Sequence, residues 1–286
     1  MQEFRFAKMQ GLGNDFIVID AVTEPVSLTG AQVRALAHRR LGVGCDQVLL
    51  AEAPSRDDAD FRYRIYNADG SEVEHCGNGV RCLAHFLRRR GLTEADTLRI
   101  ETVNGLATVT MQADGMVRVD MGMPVLDPEA IPFNAREQAV TYPLLVDGAQ
   151  LEISAVSMGN PHAVLVVDDL DRVPVTEIGP HIEAHGDFPN RVNAGFLQVV
   201  DRGHIRVRVY ERGAGETLAC GTGACAAVVA ARLRGLVDSH VRVDLRGGTL
   251  VVDWQGGDEA VYMTGPAVHV FDGVMPLPPA EGESTR

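Results

Sequence analysis

Short segments in which apolar and polar residues alternate run along most of the chain. F-R-Y-R-I-Y at 61–66 and I-R-V-R-V-Y at 205–210 are two examples, and both are rich in β-branched or aromatic residues. Alternation with a period of two is typical of strands that bury one face. We therefore predict a protein built mostly of short β-strands.

Three segments have a helical pattern instead. Residues 77–90 and 221–234 each follow a cysteine, and the second, G-T-G-A-C-A-A-V-V-A-A-R-L-R, is small or apolar until its end. A helix that is apolar around its whole circumference is normally buried. We expect these two segments to be central helices and the segment 29–40 to be an additional outer helix.

The chain also contains an internal repeat. I-Y-N-A-D-G-S-E-V-E-H-C-G-N-G at 65–79 aligns without a gap with V-Y-E-R-G-A-G-E-T-L-A-C-G-T-G at 209–223, at an offset of 144 residues. G-N-D-F at 13–16 corresponds in the same order to G-N-P-H at 159–162. Collinear matches spread through both halves indicate a duplication, not a chance likeness between glycine-rich loops.

The duplication predicts an α+β fold of two pseudo-symmetric lobes. Each lobe is expected to be a strongly curved, mostly antiparallel sheet or barrel wrapped around its central helix, with the active site in the cleft between the lobes. We place the N-terminal lobe at 1–130, the C-terminal lobe at 131–275 and a disordered, proline-rich tail at 276–286. The C-terminal segment can return to the first lobe.

Charge and hydropathy limit the partners and the location. The formal net charge of −13 argues against nucleic acid and anionic membranes as partners, because both bind basic surfaces. The N-terminal residues lack the apolar core of a signal peptide, and no segment has the length and apolarity of a membrane span. We expect a cytoplasmic protein.

Two of the five cysteines, Cys76 and Cys220, occupy equivalent positions in the two repeated halves. The odd number and the absence of a C-x-x-C pair do not favour a disulfide framework or a zinc site, so no metal is predicted. Cys45, Cys82 and Cys225 are expected to be buried and structural. Lys8, the only lysine, has no recognisable context for a Schiff-base cofactor, and we expect that none is needed.

Each repeated cysteine directly precedes a predicted helix. The unpaired N–H groups at a helix start stabilise a thiolate and bind carboxylates, so a lowered thiol pKa is expected. Gly77 and Gly221 leave the backbone open to a ligand. If the two halves face each other, two thiols on opposite faces of one carbon could invert a stereocentre.

Longer motifs around these cysteines resemble the diaminopimelate epimerase family. They are G-L-G-N-D-F, N-A-D-G-S-E-V-x-x-C-G-N-G-x-R-C, S-M-G-N-P-H, R-V-N-A-G-F and Y-E-R-G-A-G-E-T-x-A-C-G-T-G-A-C. The match covers roughly residues 1 to 275. C-G-x-G elements alone would indicate only the wider group that includes proline racemases.

The resemblance implies an isomerase that interconverts LL- and meso-diaminopimelate without a cofactor, in lysine and cell-wall precursor biosynthesis. Cys76 and Cys220 would be the acid and base, while His162 and Glu211 would tune the two thiols. A homodimer is also implied, with Phe271 where some relatives have tyrosine at a dimer contact. The substrate-binding positions implied by the family are Asn14, Gln47, Asn67, Gly77, Asn78, Asn160, Asn193, Glu211, Arg212, Gly221 and Thr222.

Two other functions stay open at this point. A racemase of proline or hydroxyproline would use the same thiols, but a small ring has no distal carboxylate for Arg212 to bind. A non-catalytic amino-acid-binding protein would need the pocket but not two thiols. Asn14 and Asn160, in G-N-D and G-N-P, are also compatible with simple turns. The sequence departs from the expected G-x-G-F-D-Q at Cys45, which puts the local packing near Gln47 in doubt.

Overall fold

A computed structural model of the chain describes residues 3–73, 77–103 and 105–278. The first described segments form β1 (Glu3–Gly11), β2 (Asn14–Asp20), α1 (Gly30–Ala37), β3 (Gln47–Glu52), β4 (Phe61–Asn67), β5 (Glu72–Val73), α2 (Gly77–Arg89), β6 (Thr97–Thr102), β7 (Gly105–Met111) and β8 (Val117–Asp120). The following elements are β9 (Tyr142–Val146), β10 (Ala149–Ser157), β11 (Pro161–Val166), a 3-10 helix (Leu170–Arg172), α3 (Val175–Glu183), β12 (Asn193–Asp201), β13 (His204–Glu211), β14 (Gly215–Glu216), α4 (Gly221–Leu233), β15 (His240–Leu245), β16 (Gly248–Asp253), β17 (Tyr262–Gly265) and β18 (Val268–Pro276).

The chain divides into two compact units. One contains the described residues of Met1–Val119 and Gly265–Arg286, and the other is Asp120–Thr264. The C-terminal strand β18 pairs with β1 in antiparallel fashion, so the end of the chain completes the sheet of the first unit. Each unit buries an apolar cluster of its own, which includes Ile17, Val48 and Leu50 in the first and Ile153, Leu165 and Phe196 in the second.

Both units have the same strand pairing. In the first, the strands pair in the order β18–β1–β2–β3–β4–β6–β7–β8, and β2–β3 and β4–β6 are parallel. In the second, the order is β9–β10–β11–β12–β13–β15–β16–β17, and β11–β12 and β13–β15 are parallel. Order and direction match strand for strand, so the repeat in the sequence is a repeat in the structure.

One buried helix lies against each sheet. Helix α2 packs against β1–β4, β7 and β18, and α4 packs against β10–β13 and β16. Ten of the 13 residues in each helix are buried. The predicted α+β class with two lobes is confirmed, and the central helices begin at the predicted residues and end one residue earlier.

The two outer helices differ from the expectation. Helix α1 is shorter than the predicted 29–40, because after Ala37 the chain turns back and Gly44 and Cys45 donate backbone hydrogen bonds to the last carbonyl groups of the helix. A Cβ at Gly42 would lie 2.1 Å from the carbonyl oxygen of Ala35, so this close return requires glycine. Helix α3 was not predicted, since Pro180 interrupts its pattern.

None of the helices in the described part of the chain combines the length and the apolar character that a membrane span needs.

Candidate active site

Predicted site residues of the second unit lie at the ends of neighbouring strands and at the start of α4. His162 on β11 is the register partner of Asn193 on β12, and Ala194 is the partner of Tyr210 on β13. The adjoining ends of these three strands therefore bring distant sequence positions together. The residues concerned are Asn160, His162, Asn193, Glu211 and Arg212, with Cys220, Gly221 and Thr222 at the start of α4.

Asn193 ties two of these strand ends to each other. Its side chain is buried, Nδ2 donates to the carbonyl of Pro161 at 3.0 Å, and Oδ1 accepts from the backbone N–H of Arg212 at 2.9 Å. The side chain of Arg212 is exposed, and its Nη1 donates to the carbonyl of Asn190 at 3.0 Å. Asn193 thus fixes the backbone from which the Arg212 guanidinium extends.

His162 is completely buried and uncharged. Its Nε2 lies 3.0 Å from Oδ1 of Asn160, which can only accept, so Nε2 donates. Nδ1 is buried without a hydrogen-bond partner among the described residues. Burial lowers the pKa of His162 to about 3, and the charge of Arg212 contributes to this. Any effect of this imidazole on the site is that of a neutral ring.

Glu211 ends β13 and its carboxyl group faces the thiol of Cys220. Oε1 accepts a hydrogen bond from the Thr217 hydroxyl, and the carboxyl group interacts with the neighbouring Cys220 thiol. Burial raises the pKa of Glu211, and the interactions with Thr217 and Cys220 act against this rise. A carboxyl group and a thiol are therefore neighbours at the start of α4.

Cys220 is the residue before α4 and is 5% exposed. Burial raises the pKa of its thiol well above the usual value, and the charge of Glu211 raises it further. The Thr222 hydroxyl, 3.5 Å from Sγ, and the backbone N–H of Gly223 lower it by less. The lowered pKa expected from the helix start is wrong for Cys220, because desolvation and a neighbouring carboxylate outweigh the helix N–H groups.

Gly223 is required for the position of this sulfur. A Cβ at residue 223 would lie 3.2 Å from Sγ of Cys220 and 2.9 Å from a methyl group of Val209. Both contacts are closer than side-chain carbons normally allow. The second glycine of C-G-T-G thus makes room for the thiol, whereas the sequence argument had considered only the first.

The first unit carries a second polar group built from Asn14, Gln47, Asn67 and Asn78. Nε2 of Gln47 donates to Oδ1 of Asn67 at 3.0 Å, while Oε1 of Gln47 is buried without a partner among the described residues. Nδ2 of Asn78, at the start of α2, donates to Oδ1 of Asn14 at 3.4 Å. Two pairs of amides therefore join residues from β2, β3, β4 and α2.

Asn14 is hydrogen-bonded to a network of ion pairs. Nδ2 of Asn14 donates to Asp46 at 3.0 Å, and Arg39 bridges Asp46 and Asp15 at 2.7 Å each. The Lys8 ammonium contacts the other oxygen of Asp15 at 2.6 Å. Burial would raise the pKa of Asp15, but hydrogen bonds from Arg39 and Lys8 outweigh burial and hold it well below its usual range. The only lysine of the chain is thus part of an ion-pair network.

Arg81 fixes the first turn of α2. Its side chain is completely buried and donates to Oδ1 of Asn78 at 3.0 Å and to the carbonyl of Pro266 at 3.2 Å. A buried guanidinium is held in place by such bonds. Arg81 belongs to G-N-G-V-R-C, but its role in orienting Asn78 could not be inferred from the motif.

The four other cysteines divide into two groups. Cys76, predicted as the second catalytic thiol, lies outside the described residues. Cys45, Cys82 and Cys225 are buried, in agreement with the expectation. Burial raises the pKa of Cys45 to about 12, so this thiol is unreactive. Clusters of three or more side chains suited to a metal ion do not occur within residues 3–73, 77–103 and 105–278.

Sequence reasoning missed the residues that support the site. Thr217, Gly223, Arg81 and the network around Asp15 all act on a predicted site residue and do not themselves carry an obvious chemical signal. The available signal was their position: Thr217 and Gly223 lie within three residues of Cys220, and Arg81 lies in a segment predicted to form a central helix.

Comparison with known proteins identifies the family to which the chain is similar. The family model described as diaminopimelate epimerase matches residues 6–126 and 154–270. A protein named diaminopimelate epimerase from Thioalkalivibrio sulfidiphilus is 62% identical over 271 residues, covering 94% of this chain and 98% of the relative. One of the same name from Alkalilimnicola ehrlichii is 62% identical over 275 residues, covering 96% and 99%.

A solved structure shares the fold at low sequence identity. The hydroxyproline epimerase from Agrobacterium vitis, with bound trans-4-hydroxy-L-proline, is 17% identical and superposes with a TM-score of 0.71 over 95% of this chain and 92% of that one. At this identity the likeness concerns the fold alone. The family model and the two close relatives, in contrast, span both repeated halves and the motifs around Cys76 and Cys220. The chain belongs to the diaminopimelate epimerase family.

Proposed function

We propose that this protein interconverts LL- and meso-diaminopimelate by proton transfer at one α-carbon, with Cys76 and Cys220 as the two proton-transferring groups. The observation that carries the proposal is the buried Cys220 thiol directly before α4, beside Glu211 and among the polar strand ends of the second unit. Family membership supports the substrate.

In the proposed reaction, one sulfur acts as base and the other as acid. A thiolate takes the α-proton from one face, which leaves the bond electrons on the α-carbon and makes that sulfur a thiol. The opposite thiol gives its proton to the other face and becomes a thiolate. The net charge of the pair is unchanged, and the roles of the two cysteines exchange when the reaction runs in reverse.

Cys220 is suited to be the acid in the resting enzyme. Its raised pKa, caused first by burial and then by Glu211, keeps the thiol protonated. In the opposite direction Cys220 starts as the thiolate that the forward reaction leaves, and Glu211 beside it is proposed to tune this thiol. His162, as a neutral ring beside Asn160, is proposed to tune the thiols without adding charge.

The α-carboxylate of the substrate is proposed to bind to backbone N–H groups at the two helix starts. Residues Gly77 and Asn78 begin α2, and Gly221 and Thr222 begin α4. The N–H groups in the first turn of a helix attract negative charge. They would also stabilise the charge that develops when the α-proton leaves.

The remaining polar residues are proposed to bind the distal end of the substrate. The exposed guanidinium of Arg212 suits the distal carboxylate. Oε1 of Gln47, which has no partner in the part of the chain that the structure describes, is an acceptor for the distal ammonium. Asn193 uses both its polar atoms within the protein, so its proposed contribution includes holding Arg212 in place. The other proposed distal ligands are Asn14, Asn67, Asn160 and Glu211.

We further propose that the enzyme needs no cofactor, acts in the cytoplasm in lysine and cell-wall precursor biosynthesis, and is a homodimer. Support for the dimer comes from β18, where Val268, Val270, Phe271 and Val274 are 41–58% exposed on the terminal strand of the first unit.

The alternative of a proline or hydroxyproline racemase is not favoured. The close relatives are named diaminopimelate epimerase, and the likeness to the hydroxyproline epimerase concerns the fold alone.

Activity in deuterated water tests the proposal. Dialysed enzyme with the LL-substrate and no added cofactor should form the meso product with deuterium on the inverted carbon. Cys76→Ala and Cys220→Ala should each abolish conversion, while Cys225→Ala, which removes a buried thiol from the helix that follows Cys220, should retain activity within about threefold. Full activity of either of the first two variants would disprove the two-thiol mechanism.

A further inference from the structure

Thr217 is anchored beside the candidate catalytic pair at both its backbone and its side chain. Its backbone N–H donates to the carbonyl of Val209 at 3.3 Å, which continues the β13–β14 hairpin by one residue. Its hydroxyl donates to Oε1 of Glu211. The side chain thus spans the hairpin and ends on the carboxyl group that contacts the Cys220 thiol.

We propose that Thr217 is a positioning residue for the epimerisation: its hydroxyl holds one oxygen of the Glu211 carboxylate so that this group stays directed at the Cys220 thiol. The inference rests on the proposed function, because it assigns a role to Thr217 in that same proton transfer. Thr217 itself does not touch the reacting carbon in this account and acts only through Glu211.

The internal repeat provides a natural comparison. At the offset of 144 residues, Thr217 corresponds to Val73 and Glu211 to Asn67. Val73 is paired with Ile65 in the β4–β5 hairpin, and Ile65 corresponds to Val209. The same hairpin position therefore has valine in the unit where Asn67 ends the strand, and threonine in the unit where Glu211 does.

This comparison separates the chemistry of Thr217 from its packing. Valine has nearly the shape of threonine but cannot donate a hydrogen bond. Because the first unit already has valine in this hairpin, Thr217→Val should fold without backbone change. Its effect should be confined to the hydrogen bond on Glu211.

The carboxyl group depends on few neighbours. Among the described residues, the titratable group facing Glu211 is Cys220, and the one neutral donor is Thr217. Glu216 and its partner Arg208 lie on the other face of the hairpin, since Tyr210 is the register partner of Glu216 and adjacent strand residues point to opposite faces. Loss of the hydroxyl would disfavour the carboxylate form of Glu211, whose pKa burial already raises.

Three variants test the inference by steady-state kinetics in both directions. Thr217→Val should lower kcat about tenfold with KM within about twofold, and should move the acidic limb of the kcat pH profile up by about half to one pH unit. Thr217→Ser keeps the hydroxyl and should stay within about threefold of the wild type. Thr249→Val is the matched control, because the Thr249 hydroxyl donates to the Asp244 carboxylate at 2.8 Å on the β15–β16 hairpin; its kinetics should be unchanged.

The outcomes separate this inference from the proposed function. A wild-type enzyme without LL-to-meso conversion refutes the proposed function. An active wild type with an unaltered Thr217→Val profile refutes the role of Thr217 alone. A loss only in the serine variant would mean that packing of the methyl group matters and not the hydroxyl. Equal losses in Thr217→Val and Thr217→Ser would mean that keeping the hydroxyl does not preserve activity. Either result would overturn the inference.

Discussion

At the scale of single residues, burial outweighs the helix start at Cys220. The effect of a helix N-terminus on a neighbouring charge is about 0.3–1 kcal/mol at an exposed site, whereas removing a charged group from water shifts its pKa by up to several units. The thiol is 5% exposed and faces the Glu211 carboxyl group, and both features favour the protonated form. The helix N–H groups therefore make the rise in the pKa of Cys220 smaller, but they do not bring this pKa below its usual value.

His162 allows a prediction about stability and pH. Its pKa falls from 6.5 to about 3 on folding because the ring is buried, so the unfolded chain takes up a proton that the folded protein does not. This residue therefore makes the free energy of unfolding decrease as the pH falls from about 6.5 towards 3, by at most about 1.4 kcal/mol per pH unit. Urea unfolding between pH 7 and pH 4 measures the slope.

The comparison variant for this prediction is His162→Asn, which keeps a polar side chain but cannot take up a proton. It is expected to be less stable at neutral pH, because a buried ring is lost, yet its stability should depend less steeply on pH. Parallel curves for the two proteins over this range would contradict the neutral, buried state of His162.

At the scale of elements, the hairpin before each repeated cysteine is held by the same ion pair. Arg208 donates to both carboxylate oxygens of Glu216 at 2.7 and 3.1 Å, and Arg64 to those of Glu72 at 2.8 and 2.9 Å. The two pairs are related by the offset of 144 residues. A bidentate pair across a two-residue strand fixes the chain that leads to the cysteine.

The pair in the second unit should contribute strongly to stability. Glu216 is 6% and Arg208 21% exposed, so Glu216→Gln would leave a mostly buried guanidinium without its partner and should cost about 3 kcal/mol. Asp238→Asn is the matched control, because the Arg202–Asp238 pair is 62% and 59% exposed and should contribute at most about 1 kcal/mol. Thermal and urea unfolding would measure both, and equal losses would contradict the argument.

At the scale of the whole molecule, strand β18 links the end of the chain to its beginning. In the first unit β18 pairs with β1, the position that β9 occupies beside β10 in the second unit. The two strands differ in exposure, because β18 has several exposed apolar side chains along its length. A row of exposed apolar residues on such a strand is typical of a surface that binds another protein.

The proposed homodimer gives a prediction for this strand. Phe271→Asp introduces a charge into the apolar surface of β18 and should convert a dimer into monomers, as measured by light scattering after size-exclusion chromatography. Val140→Asp in the second unit is the control, since Val140 is 45% exposed and Phe271 46% exposed. A wild-type protein that is monomeric at micromolar concentration would contradict the dimer.

The sequence by itself determined the features that depend on local pattern and on the repeat. The alternation of apolar and polar residues indicated the strands, and the starts of α2 and α4 follow from the small and apolar residues after each cysteine. The offset of 144 residues selected Cys76 and Cys220 from five cysteines. Such features can be read in advance because each depends on residues close in sequence or on identical residues at a constant distance.

Only the tertiary structure decided how the site residues act on one another. Asn193 holds Arg212 across 19 residues, and Arg81 reaches the carbonyl of Pro266 across 185 residues. The direction in which the pKa of Cys220 shifts depends on two features of the folded chain. These are the removal of water from the thiol and the position of the Glu211 carboxyl group beside it. Burial and contacts between distant residues exist only after folding, and this is the physical reason why no local pattern could reveal them.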